Sequence, residues 1–201
     1  MNYPEALSVF DRLAPGEALW KRHSRRVADV SHAVGAALAR RGEGVDPEAV
    51  RVAGLFHDLG RSKTHGPAHG WVGYVLLRRQ GLERFARGCV AHWIKGRTLE
   101  EMLRDGRWSP RFLRSVFEEF GFPELKPEDR VVALADSVVA HDRIVTVEER
   151  TADLVRRYGD GPFVRRNHEL ALALQREVEE RMGAALEEVL APLRVSADGL
   201  P

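Results

Sequence analysis

Leu19, His23, Val27, Val30, Val34 and Leu38 recur at intervals of three and four, the spacing that lines up side chains along one face of an α-helix. The same interval returns in most segments that follow. Several clean period-two alternations bounded by hairpin dipeptides, as a sheet would require, are absent. The reading is therefore an all-α protein. Gly and Pro clusters at Ala14-Pro15-Gly16, Arg41 to Gly44, Thr64 to Pro67, Gly106 to Pro110, Gly121 to Pro123 and Tyr158 to Pro162 mark the turns. Between them the pattern predicts helices near 4–13, 16–41, 47–60, 67–80, 82–93, 98–104, 110–120, 127–143, 148–158 and 165–193. Pro47 and Pro67 sit at first-turn positions, where a missing N–H costs little.

A chain of 201 residues suffices for one domain with a sizeable core and leaves little room for two. The expected division is a helical domain over 1–163, a C-terminal helix over 164–195 that packs on it or on a second copy of the chain, and a flexible tail over 196–201. With 31 basic against 30 acidic residues the formal charge is only +1, so no strong nucleic-acid signal is present. Apolar runs fall short of the roughly 18 residues that a spanning helix needs, and no secretion signal opens the chain. A single cysteine, Cys89, forms no internal disulfide and fits a reducing compartment, so a cytoplasmic location is expected.

Three polar features interrupt the apolar pattern. His23 lies within the stripe between Leu19 and Val27, so its imidazole should point inward; taken alone it reads first as a core histidine bonded to a backbone carbonyl. In Leu55-Phe56-His57-Asp58-Leu59-Gly60 an apolar helix turns polar at two successive residues, just before an expected glycine C-cap. Adjacent helical side chains diverge by about 100°, so both can reach one ion beside the helix end but would hardly bond each other. Imidazole nitrogen plus carboxylate suits a borderline divalent cation. Asp136 is the lone carboxylate in Val131-Val132-Ala133-Leu134-Ala135-Asp136-Ser137-Val138-Val139-Ala140 and needs a cation, metal or arginine, to remain ionised there. Among the remaining histidines, His65, His69 and His92 follow the doublet closely, whereas His32, His141 and His168 sit among mixed neighbours and have no assigned role.

Together, His23-Ser24-Arg25-Arg26-Val27-Ala28, then Leu55-Phe56-His57-Asp58-Leu59-Gly60-Arg61, then Val132-Ala133-Leu134-Ala135-Asp136 resemble the HD superfamily of metal-dependent phosphohydrolases. Arg61 to Gly66 and the stretch Gly54 to Gly73 are similar to small stand-alone members with an HDIG-type motif, Leu59 replacing its Ile. The resemblance covers roughly 19–140 and implies an HD-type helical bundle in which His23, His57, Asp58 and Asp136 bind metal. Two-metal members add two histidines, which His69 and His92 match by position, with His65 competing for the place of His69. Some relatives have a His-His pair where this chain has His92-Trp93, a departure that bears on the second ion.

That resemblance implies a hydrolase for a phosphomonoester or phosphodiester of a small molecule, a nucleotide or related metabolite. One or two divalent ions (Mn, Fe, Ni, Co or Zn, or else Mg) would assist, and Asp58 would orient the attacking water. Arg61, Lys63, His65, Lys95 and Arg97 follow the ligand positions and are the candidates for holding substrate phosphate. Two alternatives are kept: a di-iron HD-type oxygenase, as in a minority of the superfamily, and a non-catalytic regulatory HD domain. Intact His23, His57, Asp58 and Asp136 argue against the second.

Overall fold

The computed structural model describes residues 1–195 and is all α apart from one two-stranded hairpin. In chain order the helices are α1 (Tyr3–Leu13), α2 (Leu19–Arg40), α3 (Pro47–Phe56), α4 (His69–Arg79), α5 (Glu83–Ile94), α6 (Leu99–Asp105), α7 (Pro110–Phe120), α8 (Pro127–Ser137), α9 (Val147–Tyr158), α10 (Pro162–Met182) and α11 (Leu186–Val195). A 3-10 helix, Leu59–Ser62, follows α3. Between α8 and α9, β1 (Val139–Ala140) pairs antiparallel with β2 (Arg143–Ile144).

Local chemistry accounts for most helix starts. Asp46 accepts from the amides of Glu48 and Ala49 with Pro47 in the first turn, and Thr98 and Thr146 close capping boxes with Glu101 and Glu149. Buried Lys21 fixes the entry to α2: its ammonium donates to the carbonyls of Ala14 and Gly16 and lies 2.8 Å from Asp11. That bracket sets the phase of the helix that carries His23.

Two apolar clusters form the interior. One gathers Phe10, Leu55, Phe56, Leu59, Leu77, Phe85, Ile94 and Leu113 from α1, the α3 region, α4, α5 and α7. The other joins Val27, Val30 and Val34 of α2 to Val131 and Leu134 of α8 and to Val178, Met182, Leu186 and Leu190 of the last two helices. The apolar face of α10 and α11 is thus covered within the chain. No helix among the described residues is long and apolar enough to cross a membrane.

Glycine lets three elements approach more closely than side chains would allow. A Cβ on Gly60 would fall 1.9 Å from the His69 carbonyl oxygen, and one on Gly70 would fall 2.5 Å from the Cys89 carbonyl oxygen. The 3-10 helix, α4 and α5 therefore meet backbone to backbone, which brings the start of α4, with His69, and the C-terminal half of α5, with His92, beside the end of α3.

Several boundaries differ from the sequence expectation. Gly60 caps no helix: α3 stops at Phe56, and Gly60 is there for the close approach to α4. The helix expected over 127–143 ends at Ser137, because the chain turns back as the hairpin with His141 at φ 58°. The single C-terminal helix expected over 164–195 is two helices, broken at Gly183, which adopts φ 64° and donates to the carbonyls of Glu179 and Glu180. Leu19, counted in the apolar stripe, is 45% exposed. The tail expected over 196–201 lies outside the described residues.

Candidate metal centre

Five elements deliver six side chains to one place. His23 comes from the middle of α2, His57 and Asp58 from the end of α3, His69 from the first position of α4, His92 from the last turn of α5 and Asp136 from the last turn of α8. His57, Asp58 and His92 are almost wholly buried.

The four imidazoles share one arrangement. In each, Nδ1 lies against a backbone carbonyl: His141 for His23 at 3.0 Å, Gly54 for His57 at 2.7 Å, Gly66 for His69 at 3.0 Å and Gly88 for His92 at 3.1 Å. A carbonyl only accepts, so Nδ1 carries the hydrogen and in the neutral ring Nε2 keeps its lone pair. All four Nε2 atoms then face inward. His69 Nε2 and His92 Nε2 are 3.3 Å apart with no proton between them in the neutral forms. His57 Nε2, fully buried, has no hydrogen-bond partner. A second ring nitrogen anchored by a carbonyl is the usual support of a metal-ligating histidine.

Carboxylate oxygens complete the set. Asp136 Oδ1 lies 3.2 Å from His23 Nε2 and 3.9 Å from His57 Nε2. Asp58 Oδ1 lies 3.1 Å from His69 Nε2 and 3.7 Å from His92 Nε2, while its Oδ2 is 3.8 Å from His57 Nε2 and accepts from Arg61 Nε at 2.5 Å. Ligand atoms of His23, His57 and Asp136 all lie within 4.8 Å of one another, as do those of His57, Asp58 and His92. Lone pairs from nitrogens and oxygens converging on a largely buried centre repel one another unless a cation lies among them, so these residues fit a divalent metal.

The electrostatics point the same way. Burial holds the His57 imidazole below its ordinary value, against the pull of the Asp58 and Asp136 carboxylates, and pushes His92 down to about 3. Burial alone would raise both carboxyls, but the groups around them override it. His57, His69 and Arg61 hold Asp58 well below the usual range, and His23, Lys95 and Arg150 do the same for Asp136. Burial thus keeps the His57 and His92 rings neutral beside ionised carboxylates, the protonation state that metal ligation demands.

Beside this cluster opens a cavity of about 750 Å³ whose wall includes Asp58, His69, His92 and Asp136. Of the residues expected to hold phosphate, Arg61, Lys95 and His65 line it. Lys95 is buried, its ammonium 2.7 Å from Ser137 Oγ and 3.6 Å from Asp136 Oδ2, and burial lowers it to about 8. Lys63 and Arg97 are not in the wall. Lys63 is exposed beyond the 3-10 helix, and Arg97 turns inward to the carbonyls of Ile94 and Phe163 and stacks on the Phe163 ring. His65 is exposed, and His69 rather than His65 reaches the Asp58 carboxylate.

Sequence reasoning missed three contributors. The His141 carbonyl that fixes His23 is a backbone atom in a turn with no sequence signature. Arg150, 3.6 Å from Asp136, and Arg157 also line the cavity; they lie on α9, beyond the resemblance, and only the break after Ser137 turns them back toward the centre.

A family model described as HD domain matches residues 21–141. Over 168 residues the chain is 30% identical to an uncharacterized protein of Methanocaldococcus jannaschii, covering 83% of this chain and 92% of that one. It is also 29% identical over 105 residues to a tRNA (cytidine(56)-2'-O)-methyltransferase of Picrophilus torridus, which is 52% of this chain and 28% of the methyltransferase. No solved structure matches the chain.

Proposed function

The chain belongs to the HD domain family, a superfamily of metal-dependent phosphohydrolase type, and from that premise we propose that it hydrolyses a phosphomonoester or phosphodiester of a small molecule, a nucleotide or related metabolite. One observation carries the reading: four carbonyl-anchored imidazoles aim Nε2 at two carboxylates, leaving His57 Nε2 and Asp58 Oδ1 buried without a hydrogen bond. His23, His57 and Asp136, with Asp58, would hold one divalent cation; Asp58, His69 and His92 would hold a second.

Such an ion supplies Lewis acidity and brings water ionisation toward neutral pH. The chain's own residues do the rest. Asp58, with an oxygen toward each ligand group and Arg61 fixed on Oδ2, orients the attacking water. Arg61 and Lys95 present cationic donors from the cavity wall to the phosphoryl oxygens. Lys95, held near 8, is mostly protonated at pH 7. Buried Cys89 and the absence of a spanning helix among the described residues support work in the cytoplasm.

The test is elemental analysis of protein purified without added metal, followed by phosphate release from nucleoside monophosphates, sugar phosphates and short oligonucleotides. Metal-dependent release that is lost in Asp58→Asn is expected. Stoichiometric metal with no release from any substrate would overturn the reading, and iron with oxygen uptake would replace it by the oxygenase.

A further inference from the structure

Part of the cavity wall beside the metal centre is built by α9, a helix to which neither the sequence motifs nor the ligand set assigns a role. Arg150, Leu154, Arg157 and Tyr158 all line the cavity, the spacing of one helical face. Between them sits Asp153, 7% exposed. Its carboxylate collects arginines: Oδ2 accepts from Arg157 at 2.5 Å and from Arg150 at 3.3 Å, and Oδ1 accepts from Arg156 at 3.5 Å. Arg156 is 70% exposed and turns to solvent. Arg150 and Arg157 thus share the Asp153 carboxylate with Arg156, Arg150 also stands beside Asp136, and α9 presents two guanidinium groups to the cavity.

The donors left over are aimed at the site. Arg150 uses one terminal nitrogen on Asp153, while the other stands 3.6 Å from Asp136 Oδ1, outside hydrogen-bond reach. Arg157 gives one nitrogen to Asp153 and is 38% exposed toward the cavity. A guanidinium tethered at one edge and open at the other is pre-organised for a tetrahedral oxyanion, because little further rotamer freedom is lost on binding.

We propose that Arg150 and Arg157 form a phosphoryl-anion subsite facing the metal centre, and that Asp153 is the positioning residue that aims both guanidinium groups into the cavity. The substrate class that follows is one with a phosphoryl group, or a second phosphate next to the one attacked, lying between α9 and the ligand cluster. This rests on the phosphohydrolase reading, but it concerns binding and can be tested without turnover.

Inorganic phosphate is titrated by calorimetry into the purified full-length chain and into Arg150→Gln, Arg157→Gln and Asp153→Asn, all brought to equal metal content. Loss of one charge-assisted contact should weaken phosphate about tenfold in each arginine variant. Asp153→Asn should weaken it comparably with unchanged metal stoichiometry, and should add no further loss on the Arg150→Gln, Arg157→Gln double background. A merely structural Asp153 would instead lower the melting temperature equally on every background and leave phosphate affinity intact. Wild-type affinity in both arginine variants, or no phosphate binding by the parent, overturns the subsite; wild-type affinity in Asp153→Asn overturns the positioning role. Arginine-dependent phosphate binding without hydrolysis of any substrate would leave the subsite in place and sink the hydrolase reading, whereas hydrolysis with unaffected phosphate binding would do the reverse.

Discussion

Replacing Gly60 by Ala tests whether the backbone contact between the 3-10 helix and α4 sets the geometry of the centre. The added methyl would lie 1.9 Å from the His69 carbonyl oxygen, 2.6 Å from the Gly73 nitrogen and 2.8 Å from the His69 carbonyl carbon. All three are backbone atoms, so no side chain can rotate away, and α4 must retreat by about 1 Å or more to restore contact distance. Overpacking of this kind costs about 3 kcal/mol, at the upper end for added methylenes. For a chain of this size that lowers the melting temperature by about 6–12 °C. Gly60 follows Asp58 by two residues and touches His69 itself, so the retreat also parts His69 Nε2 from Asp58 Oδ1, now 3.1 Å apart. Binding of the second cation should weaken more than binding of the first. Gly88→Ala is the control: its nearest contacts would be 3.6 Å, ordinary packing, and an alanine within α5 should gain about 0.5–1 kcal/mol. Thermal melts read stability and elemental analysis after dialysis reads metal. A Gly60→Ala protein that melts within about 2 °C of the parent and keeps its full metal content would refute the reasoning.

Asp136→Ala should abolish tight metal binding with helical circular dichroism largely intact; stoichiometric metal in that variant counts against the ligand set. His92→Gln should reduce metal content by one ion at most, and loss of all metal contradicts a two-ion centre. In chelator-treated protein the neutral burial of His92 makes stability pH-dependent. Its folded value is about 3 against about 6.5 when unfolded, so its contribution is complete above pH 6.5. It is lost by about 1.4 kcal/mol per pH unit as pH falls toward 3, because only the unfolded chain takes up the proton. His92→Gln should flatten that slope, and a melting temperature constant between pH 7 and 5 would be inconsistent with it. Cys89, buried with its thiol donating to the Phe56 carbonyl and its pKa pushed up by burial, should react with a thiol reagent only as fast as the protein unfolds; rapid labelling of the native protein would contradict the packing.

The helical class was legible because apolar residues three and four apart, as in Val27, Val30 and Val34, leave no other surface to bury. His23, His57, Asp58 and Asp136 were legible because each is a polar group where the pattern demands an apolar one. What the sequence hid has physical reasons. Two-residue strands such as Val139–Ala140 are too short to show alternation. The break at Gly183 reads as one glycine inside a long amphipathic run. Lys63 and Arg97 follow the ligands closely in sequence yet point elsewhere, while Arg150 and Arg157 arrive from far along the chain; linear proximity says little about which cation faces a cavity.

The His141 carbonyl that orients His23 belongs to the main chain, so the demand at that position falls on dihedral angles and not on an imidazole. Asparagine or glycine, which tolerate a positive φ at least as well, should serve there as readily. A comparison of relatives would then show a variable column at a place where the contact itself never changes.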